Sequence, residues 1–284
     1  MYIKANAKIN LALNVLNKRD DGYHNLDMVV LPIALKDVVA TNRIFSKKKE
    51  PRILINDKPV IFPNDICMKV VKLMMEKYHI NKKYEFSIYK EIPLEAGLGG
   101  GSADAAAIFH FYNKKFKLNI SMEEAIKLLS PIGSDIPFFL YNKPARVQEK
   151  GERITPIQVL NDYYVLIVKP QAGLSTKDVY NELDKSAYPS YNIEQTIDAL
   201  ACGDDVRLAN SIGNALETPA IKKCPKIQEI KNYLLKNGFS LTSMTGSGTA
   251  VFALSTDRTK VIQMSNQLKQ LNYQTFYTTI IKGE

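Results

Sequence analysis

The sequence is poor in the residues that bind metals, form disulfides or cross membranes. Its three cysteines, Cys67, Cys202 and Cys224, are widely spaced and odd in number, which favours reduced structural thiols over a disulfide framework. The three histidines are equally scattered, which argues against a dedicated metal site. No apolar run approaches the roughly 20 residues that span a bilayer, and residues 1–6 lack the apolar core of a signal peptide. We therefore expect a cytoplasmic protein with no membrane partner.

The composition indicates a folded protein of about two domains. Hydrophobic residues make up 45% and charged residues 24% of the 284 positions, which argues against disorder. The net charge of +9 comes from lysines spread along the chain, apart from one run at 47–49 that is typical of a solvated loop. Because no nucleic-acid motif accompanies it, this charge favours polyanionic small molecules over a nucleic-acid partner. A basic nucleic-acid binder stays open as an alternative, which salt-dependent binding would reveal.

The most informative segment is residues 92–107, where four glycines fall within the five positions 97–101. Glycines let the backbone fold tightly and approach a ligand closely. Ser102 and an alanine-rich run follow and predict the start of a helix, while 84–92 alternates like a strand. A helix N-terminus after a glycine loop suits a phosphate group. The alternative is a tight turn with a helix cap and no ligand.

This glycine segment differs from the common nucleotide-binding motifs. No lysine follows the glycines, as a Walker A motif requires. Ser102 stands where the dinucleotide fingerprint has its last glycine. The His-Arg-Asp and Asp-Phe-Gly segments of protein kinases are also missing. The segment therefore predicts phosphate binding of another kind.

Hydrophobic periodicity gives the outline of the fold. Alternation predicts strands at 7–16, 25–35, 37–45, 52–56, 84–92, 163–169, 240–244, 250–254 and 273–281. Helical spacing and caps predict helices at 64–78, 103–115, after Ser121 with Glu124 as capping-box partner, 176–184, 193–201, 204–216, 226–237 and 257–271. Prolines and Gly151 within 144–162 indicate a boundary. Because the elements mix without regular βαβ repetition, we expect an α+β protein with domains 1–157 and 158–284.

Three further segments carry candidate functional residues. Lys8 and Asn10 lie two residues apart on a strand and point the same way, although a solvated strand edge would look alike. Asp135 lies in Gly133–Phe139 before a proline and an aromatic pair, where it acts as a general base or, alternatively, as a helix cap. The glycine turn Thr245–Thr249 either closes against the first glycine loop, binds substrate, or is a hairpin connection.

Taken in order, these segments resemble the GHMP kinases. The resemblance rests on Lys-x-Asn in the first strand, Pro-x(3)-Gly-Leu-Gly-Gly-Gly-Ser-Ala from Pro93, and the late Gly-Ser-Gly turn at 246–248. It covers residues from about 5 to 255. It implies a two-domain fold, with an N-terminal ATP-binding α/β domain, a C-terminal ferredoxin-like α/β domain, and the active site between them.

The resemblance also implies catalytic and nucleotide-binding roles. Asp135 would deprotonate the substrate hydroxyl, and Lys8 would keep that carboxylate ionised and stabilise the developing alkoxide. ATP would be the phosphate donor and would bring Mg²⁺ with it, so that no dedicated protein metal site is expected. The implied ATP-binding residues are Pro93, Leu94, Glu95, Ala96, Gly97, Leu98, Gly99, Gly100, Gly101, Ser102 and Ala103, with Asn64 near the adenine.

Finer motifs are similar to one branch of the family. Ala7–Leu11, Asp21–His24, Gly133–Phe138 and Met244–Gly248 are typical of kinases that phosphorylate a cytidine-diphosphate-linked methylerythritol, a sugar alcohol, in the non-mevalonate route to isoprenoids. The implied substrate-binding residues are Asn10, Tyr23, His24, Thr176, Gly246 and Ser247.

The sequence departs from the family pattern at Asn6, Ser134 and Thr249, none of which is a reacting group. A homoserine or mevalonate type of kinase stays open, and so does a non-catalytic nucleotide or sugar sensor. His24 has a plain alternative as a turn residue after Gly22. We expect a monomer or homodimer.

Overall fold

The computed structural model describes residues 1–46, 50–60 and 65–283. The lysine run at 47–49 and Asn64 therefore lie outside the described residues. The chain forms two compact units that interleave in the sequence. Unit one comprises Met1–Ala7, Lys36–Pro93 and Gly99–Asn142, and unit two comprises Lys8–Leu35, Leu94–Leu98 and Lys143–Glu284. A single boundary at residue 157 stays a prediction.

Twelve strands and ten helices are formed in the part of the chain that the structure describes. The strands are β1 Tyr2–Lys18, β2 His24–Ile44, β3 Arg52–Ile55, β4 Lys58–Pro59, β5 Lys83–Tyr89, β6 Ala145–Glu149, β7 Arg153–Pro156, β8 Tyr164–Lys169, β9 Gly213–Asn214, β10 Leu241–Met244, β11 Val251–Ser255 and β12 Gln274–Thr279. The helices are α1 Ile66–Lys77, α2 Gly100–Lys115, α3 Met122–Leu129, α4 Ile136–Tyr141, α5 Thr176–Leu183, α6 Ile193–Cys202, α7 Asp205–Ala209, α8 Glu217–Lys223, α9 Lys226–Lys236 and α10 Arg258–Gln270. No helix of the described ranges is both long and apolar enough to cross a membrane.

Unit one packs helices on a mixed sheet. The second half of β2 pairs antiparallel with β5, which pairs parallel with β3, and β3 pairs antiparallel with β4. Helix α2 packs against α1 and α4, and its alanines are buried. Small side chains on that helix allow close approach of its neighbours. Aromatic rings of β5 and α2 pack in the core beside it, namely Tyr84, Phe86, Phe111 and Tyr112, and the C-cap residue Phe116 stacks on Tyr112.

Unit two contains two groups of strands. β1 pairs parallel with β9, and the first half of β2 pairs antiparallel with β6, which forms a hairpin with β7. A separate four-stranded sheet has the order β10-β11-β8-β12, and all of its pairs are antiparallel. Helix α10 packs on β8 and β12, and α9 packs on β10 and β11. The short β8 reads as a continuous apolar run because it is buried in the middle of this sheet.

Several boundaries differ from the sequence expectations. The predicted strands 25–35 and 37–45 are one strand, β2, because the buried Asp37 accepts backbone N–H groups of Glu91 and Ile92 at 2.7 and 2.8 Å instead of ending the strand. The predicted helix 204–216 begins where expected but is too long: α7 ends at Ala209, and Gly213 enters β9. A Cβ at Gly213 would lie 2.0 Å from the ring of Tyr191, so tertiary packing selects glycine there.

Two further expectations, the boundary at 144–162 and the capping box at Ser121, are corrected in part. The region 144–162 contains the β6–β7 hairpin rather than only a linker. The Ser121 hydroxyl caps α3 by accepting the Glu124 N–H at 3.2 Å, as predicted. The Glu124 carboxylate does not complete the capping box, because it accepts the Tyr78 hydroxyl at 3.0 Å instead.

Candidate active site

The lysine and asparagine of the first strand form a buried pair in unit two. Lys8 is 6% exposed and Asn10 is 2% exposed, so a solvated strand edge is wrong. The Lys8 ammonium donates to Asn10 Oδ1 at 2.5 Å and to the Gly97 carbonyl oxygen at 2.7 Å. A buried ammonium needs such oxygens to replace water. The strand thus ties a cation to the glycine segment 89 residues further along the chain.

The late glycine turn packs on the same pair. Gly246 donates its N–H to Asn10 Oδ1 at 3.1 Å, and the Thr245 hydroxyl accepts the Asn10 N–H at 3.1 Å. A Cβ at Gly97 would lie 2.0 Å from the Thr245 carbonyl oxygen, and one at Gly246 would lie 3.1 Å from Lys8 Nζ. The turn also connects the antiparallel strands β10 and β11, so the hairpin and the closure against the first glycine segment are both correct.

Hydroxyl and amide groups hold this turn in place. The Thr176 and Ser247 hydroxyl oxygens lie 2.8 Å apart, and the Thr249 hydroxyl donates to the Ala172 carbonyl oxygen at 2.8 Å. Asn214 donates to the Met244 and Gly246 carbonyl oxygens at 2.9 and 2.8 Å. Nothing in the sequence around Asn214 indicated this role, because the two-residue strand β9 has no recognisable pattern.

Helix α2 begins inside the glycine segment, in unit one. Gly99 is its N-cap, in the left-handed region at φ +73°, and helical residues start at Gly100. The expected start at 103 is therefore wrong, and Ser102 lies in the first turn rather than at the cap. Glycine at the cap provides no side-chain hydrogen bond to the first turn. The N–H groups there suit an anionic ligand, since the first four of any helix lack partners within the helix.

A buried charge cluster lies beneath this helix start, and no sequence pattern indicated it. Lys90 pairs with Asp37 and, at 2.8 Å, with Asp104. A Cβ at Gly100 would lie 3.1 Å from Lys90 Nζ, so the ammonium sits against the first helical residue. Burial raises the pKa of Asp104 to about 7, against the attraction of Lys90 and with the help of Asp37. Burial lowers the pKa of Lys90, but the two carboxylates outweigh it and raise that pKa above its usual value.

Asp135 precedes helix α4 in unit one. It occupies the N-cap position, with φ −84° and ψ −14°, but its side chain makes no capping hydrogen bond. Pro137 follows within the first helical turn, as the motif suggested. A capping role therefore gains no support, and the carboxylate is half-buried. Because Asp135 belongs to unit one and Lys8 to unit two, their meeting at one catalytic centre stays a prediction.

His24 begins strand β2 in unit two and is 8% exposed. Its Nε2 lies 2.7 Å from Asp184 Oδ1, and its ring stacks on Tyr180 with centroids 4.7 Å apart. Half of the neighbouring Tyr23 is exposed, and the Lys150 ammonium lies 3.9 Å from the centre of its ring. The plain turn-residue interpretation of His24 is thus wrong. Sequence reasoning missed Tyr180 and Asp184, because they lie about 160 residues away.

Metal-binding residues do not gather in the described ranges, where no group of three or more His, Cys, Asp or Glu could hold an ion. The three cysteines are free, and Cys67 and Cys224 are buried. Burial raises the pKa of the Cys67 thiol well above its usual value, which makes that thiol unreactive.

Comparison with known proteins places this arrangement in a family. Residues 65–143 match the GHMP kinases N terminal domain, and residues 196–274 match the GHMP kinases C terminal domain. The chain belongs to the GHMP kinases.

Individual proteins of the family resemble the chain along almost its whole length. The chain is 36% identical over 273 residues to the 4-diphosphocytidyl-2-C-methyl-D-erythritol kinase of Macrococcus caseolyticus, covering 95% of each chain. A crystal structure of 4-(cytidine 5′-diphospho)-2C-methyl-D-erythritol kinase aligns with a TM-score of 0.82 and 25% identity over 100% of both chains. A mevalonate kinase structure aligns with a TM-score of 0.71 over the same share, but at 15% identity, so it shows the fold alone. The GHMP kinase fold is thus shared by kinases with different named substrates.

Proposed function

We propose that this GHMP kinase transfers the γ-phosphate of ATP to the 2-hydroxyl of 4-diphosphocytidyl-2-C-methyl-D-erythritol. The observation that carries the proposal is the aromatic and histidine cluster of unit two, beside 36% identity to a kinase named for that substrate. The cluster offers rings and a fixed imidazole, which suit a pyrimidine base. Mevalonate, the substrate in the name of the mevalonate kinases, carries no base to bind there.

The nucleotide would bind at the start of α2. The first-turn N–H groups after Gly99 and the positive end of the helix dipole favour the ATP phosphates. We assign the phosphate-binding segment to residues 93–103, with Mg²⁺ arriving as the ion of the nucleotide phosphates. Lys90 lies against Gly100 below this segment, where Asp37 and Asp104 balance its charge.

Asp135 is proposed as the general base and Lys8 as its cationic partner. The substrate hydroxyl oxygen forms a bond to the γ-phosphorus, the bond from that phosphorus to ADP breaks, and the hydroxyl proton goes to the Asp135 carboxylate. The buried ammonium of Lys8, already aligned by Asn10 and Gly97, would stabilise the developing negative charge without reorganising. General-base help of this kind contributes roughly 10²–10⁴ in rate.

Tyr23 and His24 are proposed to bind the cytidine end. The exposed Tyr23 ring would stack on the base, while the imidazole of His24, fixed by Asp184, would bond to the base edge. Thr176 and Ser247, whose hydroxyl oxygens are 2.8 Å apart, would line the path toward the reacting hydroxyl, together with Gly246.

An assay of ADP release tests the proposal against its rivals. The purified protein is supplied with ATP, Mg²⁺ and, in separate reactions, the cytidyl substrate, homoserine and mevalonate. We expect turnover with the cytidyl substrate alone, and loss of that turnover when Mg²⁺ is chelated. Strong turnover of mevalonate or homoserine without the cytidyl substrate would replace this proposal with a sister kinase. No turnover with any of the three would favour a non-catalytic sensor.

The cellular location, the partners and the oligomeric state are also proposals. We infer a cytoplasmic location, a small-molecule partner only, and a monomer or homodimer. Gel filtration with light scattering checks the last point directly.

A further inference from the structure

We infer that Asp184 is a positioning residue that holds one tautomer of His24 and thereby selects cytosine over uracil. The inference rests on the proposed function, because it names what discriminates the base at that site. It concerns a side chain that does not itself touch the substrate.

Asp184 collects three hydrogen bonds from three parts of unit two. Its Oδ2 accepts from the Lys18 ammonium at 2.7 Å, and its Oδ1 accepts from the Tyr188 hydroxyl and from His24 Nε2, both at 2.7 Å. Its side chain is only 17% exposed. Burial alone would raise the pKa of this carboxyl, but the bonds from Lys18, His24 and Tyr188 outweigh it and lower the pKa well below its usual range. The group therefore stays an ionised acceptor.

An ionised carboxylate can only accept, so His24 Nε2 must carry the hydrogen of the bond to Asp184. A neutral imidazole has a single N–H, and Nδ1 is then left with a lone pair. Burial and the bond to Asp184 raise the pKa of Tyr188 to about 12, so its hydroxyl keeps its hydrogen. It therefore donates to Asp184 and takes no proton from His24. In the neutral form of His24, the network thus specifies that Nδ1 is the acceptor.

Packing holds the plane of the His24 ring as well as its tautomer. Tyr180 stacks on the ring at an interplanar angle of 27°, and Tyr188 lies edge-on with centroids 6.2 Å apart. The His24 side chain is only 6% exposed. A ring held on one nitrogen and stacked on one side cannot flip to exchange its nitrogens without breaking the bond to Asp184.

The consequence is a base preference. Cytosine presents an amine donor at the position where uracil presents a carbonyl acceptor. An acceptor Nδ1 pairs with the amine and meets only a lone pair on uracil. Sites that bond to a specific donor reject the analogue that lacks it, because their own polar group is left unpaired.

Calorimetric titration with CDP and with UDP tests the role of Asp184 without requiring turnover. Asp184→Ala is expected to weaken CDP binding by about ten-fold or more, with less effect on UDP, so that the preference for CDP falls. Asp184→Asn is expected to restore most of the preference, because its amide oxygen still accepts from His24 Nε2. Glu182→Ala is the matched control: it removes a carboxylate two residues away, one that pairs with Lys185 and Lys222 instead. Its preference should equal that of the wild type.

An unchanged CDP preference in Asp184→Ala, or a wild type that does not distinguish CDP from UDP, would overturn the inference. Nitrogen-15 NMR of the wild type provides a second measurement, should the alanine variant fold poorly. We expect a proton on His24 Nε2 and none on Nδ1, with the signals assigned by their loss in His24→Gln. A ring protonated on Nδ1 would refute the role. A protein that prefers CDP but does not phosphorylate the cytidyl substrate would contradict the proposed function and leave Asp184 its role.

Discussion

Replacing Asp104 with asparagine should remove a large pH dependence from the stability of the protein. The buried Lys90 ammonium faces two carboxylates, those of Asp37 and Asp104. Asp37 also accepts the N–H groups of Glu91 and Ile92. Asp104 Oδ2 accepts from Lys90 at 2.8 Å, while its Oδ1 has no hydrogen-bond partner among the described residues. Of the two carboxyls, Asp104 is therefore the one that holds a proton.

The size of the effect follows from the pKa of Asp104, which burial raises from 3.8 to about 7. Each pKa unit corresponds to about 1.4 kcal/mol, so the shift of roughly three units is worth about 4 kcal/mol at most. Between these two pKa values the folded state holds the proton that the unfolded state has released. The free energy of unfolding therefore falls as the pH rises from about 4 to about 7, and levels off above it. In Asp104→Asn the free energy of unfolding does not fall in this way, because the asparagine does not titrate. Lys90 then pairs with the Asp37 carboxylate alone.

Urea denaturation followed by circular dichroism, from pH 4 to pH 8, measures the effect. The difference in unfolding free energy between Asp104→Asn and the wild type should shift in favour of the variant by up to about 4 kcal/mol across this range. Asp198→Asn, on an exposed position of α6, makes the same substitution outside the buried cluster and should run parallel to the wild type. Parallel curves for Asp104→Asn and the wild type would refute the reasoning.

Three further predictions test the candidate site. Asp135→Asn should lower kcat by roughly 10²–10⁴ while ATP affinity by calorimetry is retained; near-wild-type turnover would exclude Asp135 as the base. Tyr23→Ala should raise KM for the cytidyl substrate by about ten-fold, through lost stacking, with little change in KM for ATP, and an unchanged KM would count against the base site. Gly97→Ala, whose Cβ would meet the Thr245 carbonyl oxygen at φ +73°, should lower the melting temperature and turnover. Gly101→Ala, with 3.8 Å to its nearest neighbour, should leave the melting temperature close to that of the wild type, and equal melting temperatures of the two variants would contradict the close approach.

Much of the fold could be predicted because its signals are local. The Ser121 hydroxyl caps α3 through a hydrogen bond to a residue only three positions further on. The apolar run at Tyr164–Lys169 forms a central strand, as its composition predicts. Boundaries failed where distant packing overrode the local pattern. The predicted strands 25–35 and 37–45 were separated at Lys36, yet Asp37 accepts backbone N–H groups more than fifty residues away, and β2 continues.

The residue types of the candidate site indicated its chemistry, but they did not indicate which side chains contact one another. Phosphate chemistry was predicted from the glycine segment, Lys8 and Asn10, because glycine loops and lysine side chains suit phosphate groups. Their contacts join positions 89 and 236 residues apart, and His24 meets Asp184 across 160 residues. The sequence by itself therefore determined most element types and the glycine turns, through interactions a few residues long, and it predicted the reacting groups. Only the tertiary structure decided which carboxylate protonates, which ring nitrogen is tethered and where glycine is compulsory, because those depend on burial and on neighbours that the chain order does not reveal.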